Sequence, residues 1–188
     1  MTSSQLTFAT LFESGARFDK TRTYRYYLWR VFDPKLPRVC FIGLNPSKAD
    51  EMNDDPTIRK CLGFAQRWGY GGIDMVNLFA LVSTKPEGLL QVKDPIGPGN
   101  HQALTFAFEQ ASLVVPCWGD YPVKFRALIR NGKDRTPGLP SQVQTKVLGF
   151  TQSGAPKHPA RIAYDTPLVP VTPSRVFSRL WGHRVKLS

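Results

Sequence analysis

The chain has little cysteine, no long apolar run and few acids. Cys40, Cys61 and Cys117 are odd in number, far apart, and each set in an apolar stretch. That pattern argues against a disulfide framework, and the absence of any CxxC pair argues against a thiolate zinc or iron–sulfur site, so the thiols read as buried and reduced. No metal and no cofactor is expected. No stretch approaches the roughly 18 apolar residues that a membrane helix needs, and residues 1–10 lack a basic run followed by an apolar one. Neither a membrane span nor an export signal is expected, and the cytoplasm is the expected compartment. No internal repeat divides the 188 residues, a length suited to one domain.

The shortage of acid is the larger departure. Against 25 Lys and Arg there are 14 Asp and Glu, which leaves a formal charge of +11 at pH 7 and a pI near 9.9. A surface so unbalanced repels itself unless it meets a polyanion, and nucleic acid is the first candidate. The chain is not a disordered basic tail, because 41% of its residues are hydrophobic and 12% aromatic.

Periodicity supplies the fold class. TYRYYLWRVF (23–32) reads as a strand closed by Asp33-Pro34, and RVCFIG (38–43) as a short strand buried on both faces. Asp55-Pro56 then suits a helix start, with Ile58, Cys61, Leu62, Ala65 and Trp68 on one face and GYGG (69–72) as its stop. A second buried strand is predicted at 73–79, a helix capped by Asn100 running to about 111, a third strand at 112–118, a helix over 121–130, and a fourth strand at 146–150. Alternation of short apolar strands with amphipathic helices predicts an α/β protein. It is expected to be a single three-layer α/β/α domain over residues 1–188, its central sheet four-stranded and mostly parallel, plus the N-terminal strand. Residues 1–22 are expected to be an N-terminal extension, and 157–188 a basic C-terminal segment.

In such folds functional groups gather beyond the carboxyl ends of the parallel strands. The first strand runs into Gly43-Leu44-Asn45-Pro46-Ser47, where glycine permits close approach, proline stiffens the turn, and Asn45 either bonds its own turn or offers an amide to a water or a base edge. Asn77 lies within an apolar run, so its amide must find a partner in the backbone or in a nucleobase. Phe79 either stacks on a base or fills the core. The third strand ends in Trp118-Gly119. The fourth is followed by Ala155-Pro156-Lys157-His158-Pro159, a stiff, basic loop that holds His158. Asp50, Glu51, Asp54 and Asp55 crowd into six residues of a basic protein; capping explains the last two, and leaves Asp50 as a candidate base.

These residues carry a resemblance. Tyr24-Arg25-Tyr26 with Leu28-Trp29, FIGLNPSKAD (41–50), DDPTIRKCLGFAQRWGYGG (54–72), VNLFA (76–80), DPIGPGN (94–100), CWG (117–119) and LGFTQSGAPKHP (148–159) resemble the DUF1643 family of uncharacterised bacterial and phage proteins. More distantly, G-x-N-P-S (43–47), Asn77, Trp118-Gly119 and His158-Pro159 resemble, in chain order, the strand-end motifs of the uracil-DNA glycosylase superfamily, in particular its mismatch-specific and single-strand-selective branches. There the first motif reads G-x-N-P-G, and Ser-Pro stands where this chain has Ala160-Arg161; the usual stacking phenylalanine has no obvious counterpart.

The resemblance implies a uracil-DNA-glycosylase-like fold and a monofunctional DNA glycosylase. Such an enzyme flips one nucleotide out of DNA, hydrolyses its N-glycosidic bond and leaves an abasic site. Asn45 would position the water, His158 would stabilise the departing base, and Asp50 would be a base or read an exocyclic amine. Gly43, Leu44, Pro46, Ser47, Asn77, Phe79 and Trp118 would form the base pocket. Lys48, Lys157, Arg161, Arg175 and Arg179 would hold phosphates, with DNA the partner and a monomer the expected state. The missing stacking residue and the acidic segment point to a modified pyrimidine, as in phage genomes, and hence to antiviral defence. The alternatives are uracil or mismatch repair, a base- or nucleotide-modifying transferase, and a non-catalytic DNA-binding module.

Overall fold

The computed structural model describes residues 12–121, 125–131, 135–140 and 142–180. One sheet organises them, with strands in the order β1-β2-β4-β3-β5-β6-β7: Glu13–Phe18, Arg25–Val31, Gly72–Asn77, Arg38–Gly43, Leu113–Pro116, Gln144–Val147 and Val169–Pro170. The inner four, β4-β3-β5-β6, run parallel, and β1, β2 and β7 join antiparallel at the two sides. The expected parallel set is thus present, but the sheet is wider than expected. Glu13–Phe18 is a strand against β2 and not part of an extension, and the two-residue β7 closes the far edge. ESGARF is only half apolar because an edge strand needs one buried face, so its period was weak in the sequence.

Side chains of the central strands alternate between two apolar clusters. Val39, Phe41, Ile73, Met75, Leu113 and Val115 face α1 (Pro56–Arg67) through Ile58, Cys61, Leu62 and Ala65. Cys40, Ile42, Val76, Val114 and Val147 face α2 (Asn100–Gln110), α3 (Arg126–Asn131) and α4 (Pro173–Leu180), through Leu104, Phe108, Ile129, Val176 and Phe177. Helices therefore cover both faces, and burial of the three middle strands on both sides explains their unbroken apolar runs. The three thiols are buried and free.

α1 begins as its sequence demands. Asp55 accepts a 2.9 Å hydrogen bond from Ile58 N, and Pro56 occupies the first turn. α2 differs from expectation: Gly99 is its N-cap, and Asn100 turns inward as the first helical residue. Of the helix predicted over 121–130, α3 begins only at Arg126, and residues 122–124 lie outside the described part. No described helix is long and apolar enough to cross a membrane.

Connectivity places the site. The chain leaves β3 through α1 to β4 on one side, then returns through α2 to β5 on the other side of β3. The crossover direction reverses between β3 and β5, so their carboxyl ends feed loops that diverge, which is where an open α/β sheet leaves a crevice.

Candidate active site

Gly43 ends β3 opposite Asn77, the last residue of β4. A Cβ on Gly43 would stand 2.6 Å from Asn77 Nδ2, so only glycine lets the amide lie against the strand end. Beyond it the two chains stay paired, with Leu78 N donating to Gly43 O at 3.0 Å, Phe79 N to Leu44 O at 2.9 Å and Ser83 N to Pro46 O at 2.9 Å. Asn45 is fastened within this frame. Its Nδ2 donates to Pro46 O at 2.9 Å and to Ser83 O at 2.8 Å. Two carbonyls require the donor end of the amide, which fixes its orientation and leaves Oδ1 available as an acceptor. The two readings of Asn45 are thus complementary: the nitrogen holds the turn, and the oxygen remains free of any described hydrogen bond.

Asn77 is held from two sides. Asn100 Nδ2 donates to the backbone oxygens of Asn77 and Leu78 at 3.0 and 3.1 Å, pinning the end of β4. From β2, Arg25 points its guanidinium underneath: Nη1 donates to Ala49 O at 2.9 Å and Nη2 approaches Asn77 Oδ1 at 3.4 Å. Arg25 is 3% exposed, and its Nε is buried without a partner. Burial pushes its pKa down to about 10, with Asp55 the first of the charges opposing the shift, so the group stays a cation at neutral pH.

The His158 loop is clamped against β5. Gly119 N donates to Pro156 O, Lys157 N to Gly149 O and Thr151 N to Ala155 O, each at 2.9 Å. Asp120 accepts from the hydroxyls of Thr151 and Ser153. Gly119 has φ +72°, and a Cβ there would meet the His158 Cβ at 3.1 Å. His158 itself caps the short 3₁₀ turn Pro159–Arg161, its Nδ1 accepting from Ala160 N at 3.3 Å. That bond places the proton of the neutral ring on Nε2. The ring keeps solvent access, yet the protein packed around it lowers its pKa from the ordinary 6.5, with Asp55 pulling the other way.

These strand ends open on one cavity of about 300 Å³. Of the residues expected from the sequence, Gly43, Leu44, Asn45, Ser47, Asn77, Trp118 and His158 line it. Trp118 is buried, with its ring tilted on Phe177 at 5.7 Å. Others expected in the pocket lie elsewhere. Phe79 is 2% exposed and belongs to the core, because β4 stops at Asn77 and the following turn directs it inward. Pro46 is buried behind the wall, and contributes its carbonyl to Asn45 and Ser83.

Asp50 does not line the cavity either. Its carboxylate accepts from Met52 N at 2.9 Å, Asn53 N at 2.8 Å and Asn53 Nδ2 at 3.1 Å, and these bonds hold its pKa below the usual carboxylate value. A carboxylate so committed is a poor base, and its place as a catalytic group is not supported by geometry. Glu51 forms a bidentate pair with Arg22 and Asp54 a 2.8 Å pair with Arg30, so the acidic segment is mostly spent on folding. Asp55 is the exception, since it both caps α1 and lines the cavity.

Arg25, Asp55, Ser83 and Asp120 are cavity residues that sequence reasoning did not place there. For Arg25 there was one signal, a cation between Tyr24 and Tyr26 at the start of an aromatic-rich strand. Among the expected phosphate contacts, Lys48, Arg161 and Arg175 are exposed, Arg175 lying over Phe150 at 5.1 Å, while Lys157 is half-buried. Arg179 belongs to α4, but its side chain lies outside the described residues. Among the described residues no three His, Cys, Asp or Glu side chains group as metal ligands.

A family model described as "Protein of unknown function (DUF1643)" matches residues 25–160. That span reaches from the cavity's Arg25 past His158. No curated protein and no solved structure matches the chain.

Proposed function

Since the chain belongs to the DUF1643 family, whose description names no activity, we propose its function from the pocket: a monofunctional DNA glycosylase that hydrolyses the N-glycosidic bond of one flipped pyrimidine. The observation that carries this reading is the meeting of Asn45, Asn77, Trp118 and His158, from four separate strand ends, around one cavity. The parallel order β4-β3-β5-β6 and the G-x-N-P motif beyond β3 support a uracil-DNA-glycosylase-like fold as part of the same proposal.

The chemistry follows from the free atoms. Cleavage leaves positive charge on the sugar and negative charge on the base, so preorganised dipoles do most of the work. Asn45 Oδ1, its amide locked by two backbone carbonyls, accepts a hydrogen bond from the attacking water and orients it. The neutral His158 ring donates from Nε2 to the base oxygen on which charge collects. Trp118 offers an aromatic wall beside the extruded base. The basic surface, with Lys48, Arg161 and Arg175 exposed, neutralises phosphates and offsets the cost of unstacking. A modified base and a role against phage DNA remain the proposed setting, tested by plaque counts of phages with modified and unmodified genomes.

The biochemical test incubates the protein with single- and double-stranded oligonucleotides that carry natural and modified pyrimidines. Free base and alkali-labile abasic sites are expected, without a borohydride-trapped adduct, and DNA affinity should fall steeply with salt. A trapped covalent adduct would replace the water mechanism with a lysine one. Strict dependence on a divalent ion or a second substrate, with no free base, would favour a modifying transferase.

A further inference from the structure

We infer that Arg25 sets the base preference of this pocket: by occupying Asn77 Oδ1 it leaves that amide only donors to present, which selects the edge of a 4-aminopyrimidine over the imide of uracil or thymine. The inference rests on the proposed base pocket and goes beyond it by naming the class of base.

An asparagine side chain offers one acceptor and two donors, and an unconstrained amide rotates to match either kind of pyrimidine. Here it is not free. Arg25 Nη2 lies 3.4 Å from Asn77 Oδ1, and turning the amide over would set its NH₂ against a guanidinium NH₂. Asn77 Nδ2 is therefore the end beside Gly43, whose missing side chain leaves the cavity open at that point. Arg25 keeps the region behind Asn77 rich in donors. Its Nε is a second donor, buried and unpartnered, on a residue that lines the cavity. A buried donor of this kind wants an acceptor, and no described group supplies one.

The Asn77 donor matches an edge that presents acceptors, and Asp55, also in the cavity wall, supplies a carboxylate with one oxygen outside its helix cap. Cytosine-type bases present N3 and O2 as adjacent acceptors and an exocyclic amine as donor. Uracil and thymine alternate acceptor, N3–H donor, acceptor. With Asn77 Nδ2 set against position 3 of the base, the N3–H of uracil or thymine would face another donor and remain unpaired, and sites built on hydrogen bonds discriminate most strongly against such a mismatch.

The test compares 5-hydroxymethylcytosine with 5-hydroxymethyluracil, each in the same single-stranded oligonucleotide so that both avoid the cost of opening a duplex. Base release is measured in parallel with binding of the free probes 1-methylcytosine and 1-methyluracil to the wild-type protein. A preference for the 4-amino member on the order of 10- to 100-fold is expected in both assays. Asn77→Asp, which offers only acceptors, should lose that preference, with its folding checked by the melting curve, and the wild-type comparison stands without it. Release with equal or reversed preference overturns the role of Arg25 and leaves the glycosylase reading in place. Selective binding of 1-methylcytosine with no release from any DNA overturns the glycosylase reading and keeps the edge assignment. Neither release nor selectivity overturns both.

Discussion

Two neighbouring segments treat their polar groups in opposite ways. Over residues 50–54 the acids are consumed internally: Asp50 closes a turn, Glu51 holds Arg22 and Asp54 holds Arg30. Over residues 43–47, and at the β4 end beside them, each amide spends one function on the frame and keeps another for the cavity. The acidic segment looked the more suggestive in the sequence because its charge is conspicuous. The quieter segment is the one whose hydrogen-bonding capacity is left over, and leftover capacity in a cavity is what a ligand can use.

Breaking each segment should therefore give different symptoms. The largest effect is expected from His158→Ala, a loss of about 100-fold in base release through removal of one preorganised donor, with a loss of stability of about 1 kcal/mol from the missing cap on Ala160 N. Equal release by this variant would remove His158 from the chemistry. Asp54→Ala should act on stability instead. Arg30 is 1% exposed, and although Gly15 O, Trp29 O and Asp50 O also bind it, losing its carboxylate should cost about 2 kcal/mol in denaturant unfolding. Release per folded molecule should not change.

Acidity separates the segments further. The folded-state pKa of His158 lies below 6.5, so the stability tied to its neutral form is complete above that value and is lost as pH falls toward the depressed one. Release should be level through neutral pH and decline only on the acid side of 6.5, where protonation of Nδ1 breaks its bond to Ala160. For Asp50 the folded pKa lies below 3.8, so its contribution is present above 3.8 and disappears only as pH falls further. Two separate windows are expected, in release assays and in melts across pH; a decline of release confined to the carboxylate range would shift the chemistry onto an acid. The smallest effect is reserved for Asp50→Asn, which should change release by no more than twofold and stability by about 0.5 kcal/mol. A large loss of release there would restore Asp50 as a base and erase the contrast.

Much of this was legible beforehand. The four parallel strands and the Asp55-Pro56 helix start follow from short apolar runs and local capping, which depend on near neighbours in the chain. Asn45, Asn77, Trp118 and His158 were found because strand ends of an α/β sheet share one edge. What failed has a common cause. Whether Phe79 faces the cavity or the core depends on where β4 stops, and whether Asp50 is free depends on a turn closed by Met52 and Asn53. Asn100, expected as a cap, instead turns inward to the end of β4. Arg25 reaches Asn77 across 52 positions of sequence, a contact that no local pattern encodes.

The central claim is that Asn45 keeps an oxygen for water at the foot of a base pocket. It is tested most directly by comparing wild type with Asn45→Ala for bases released from a panel of natural and modified DNAs, identified by mass spectrometry, while DNA affinity is measured alongside. The account expects wild type to release one class of pyrimidine, and Asn45→Ala to bind DNA equally well while losing about 10²- to 10³-fold in release. Undiminished release by Asn45→Ala, or no release by wild type from any DNA it binds, would contradict it.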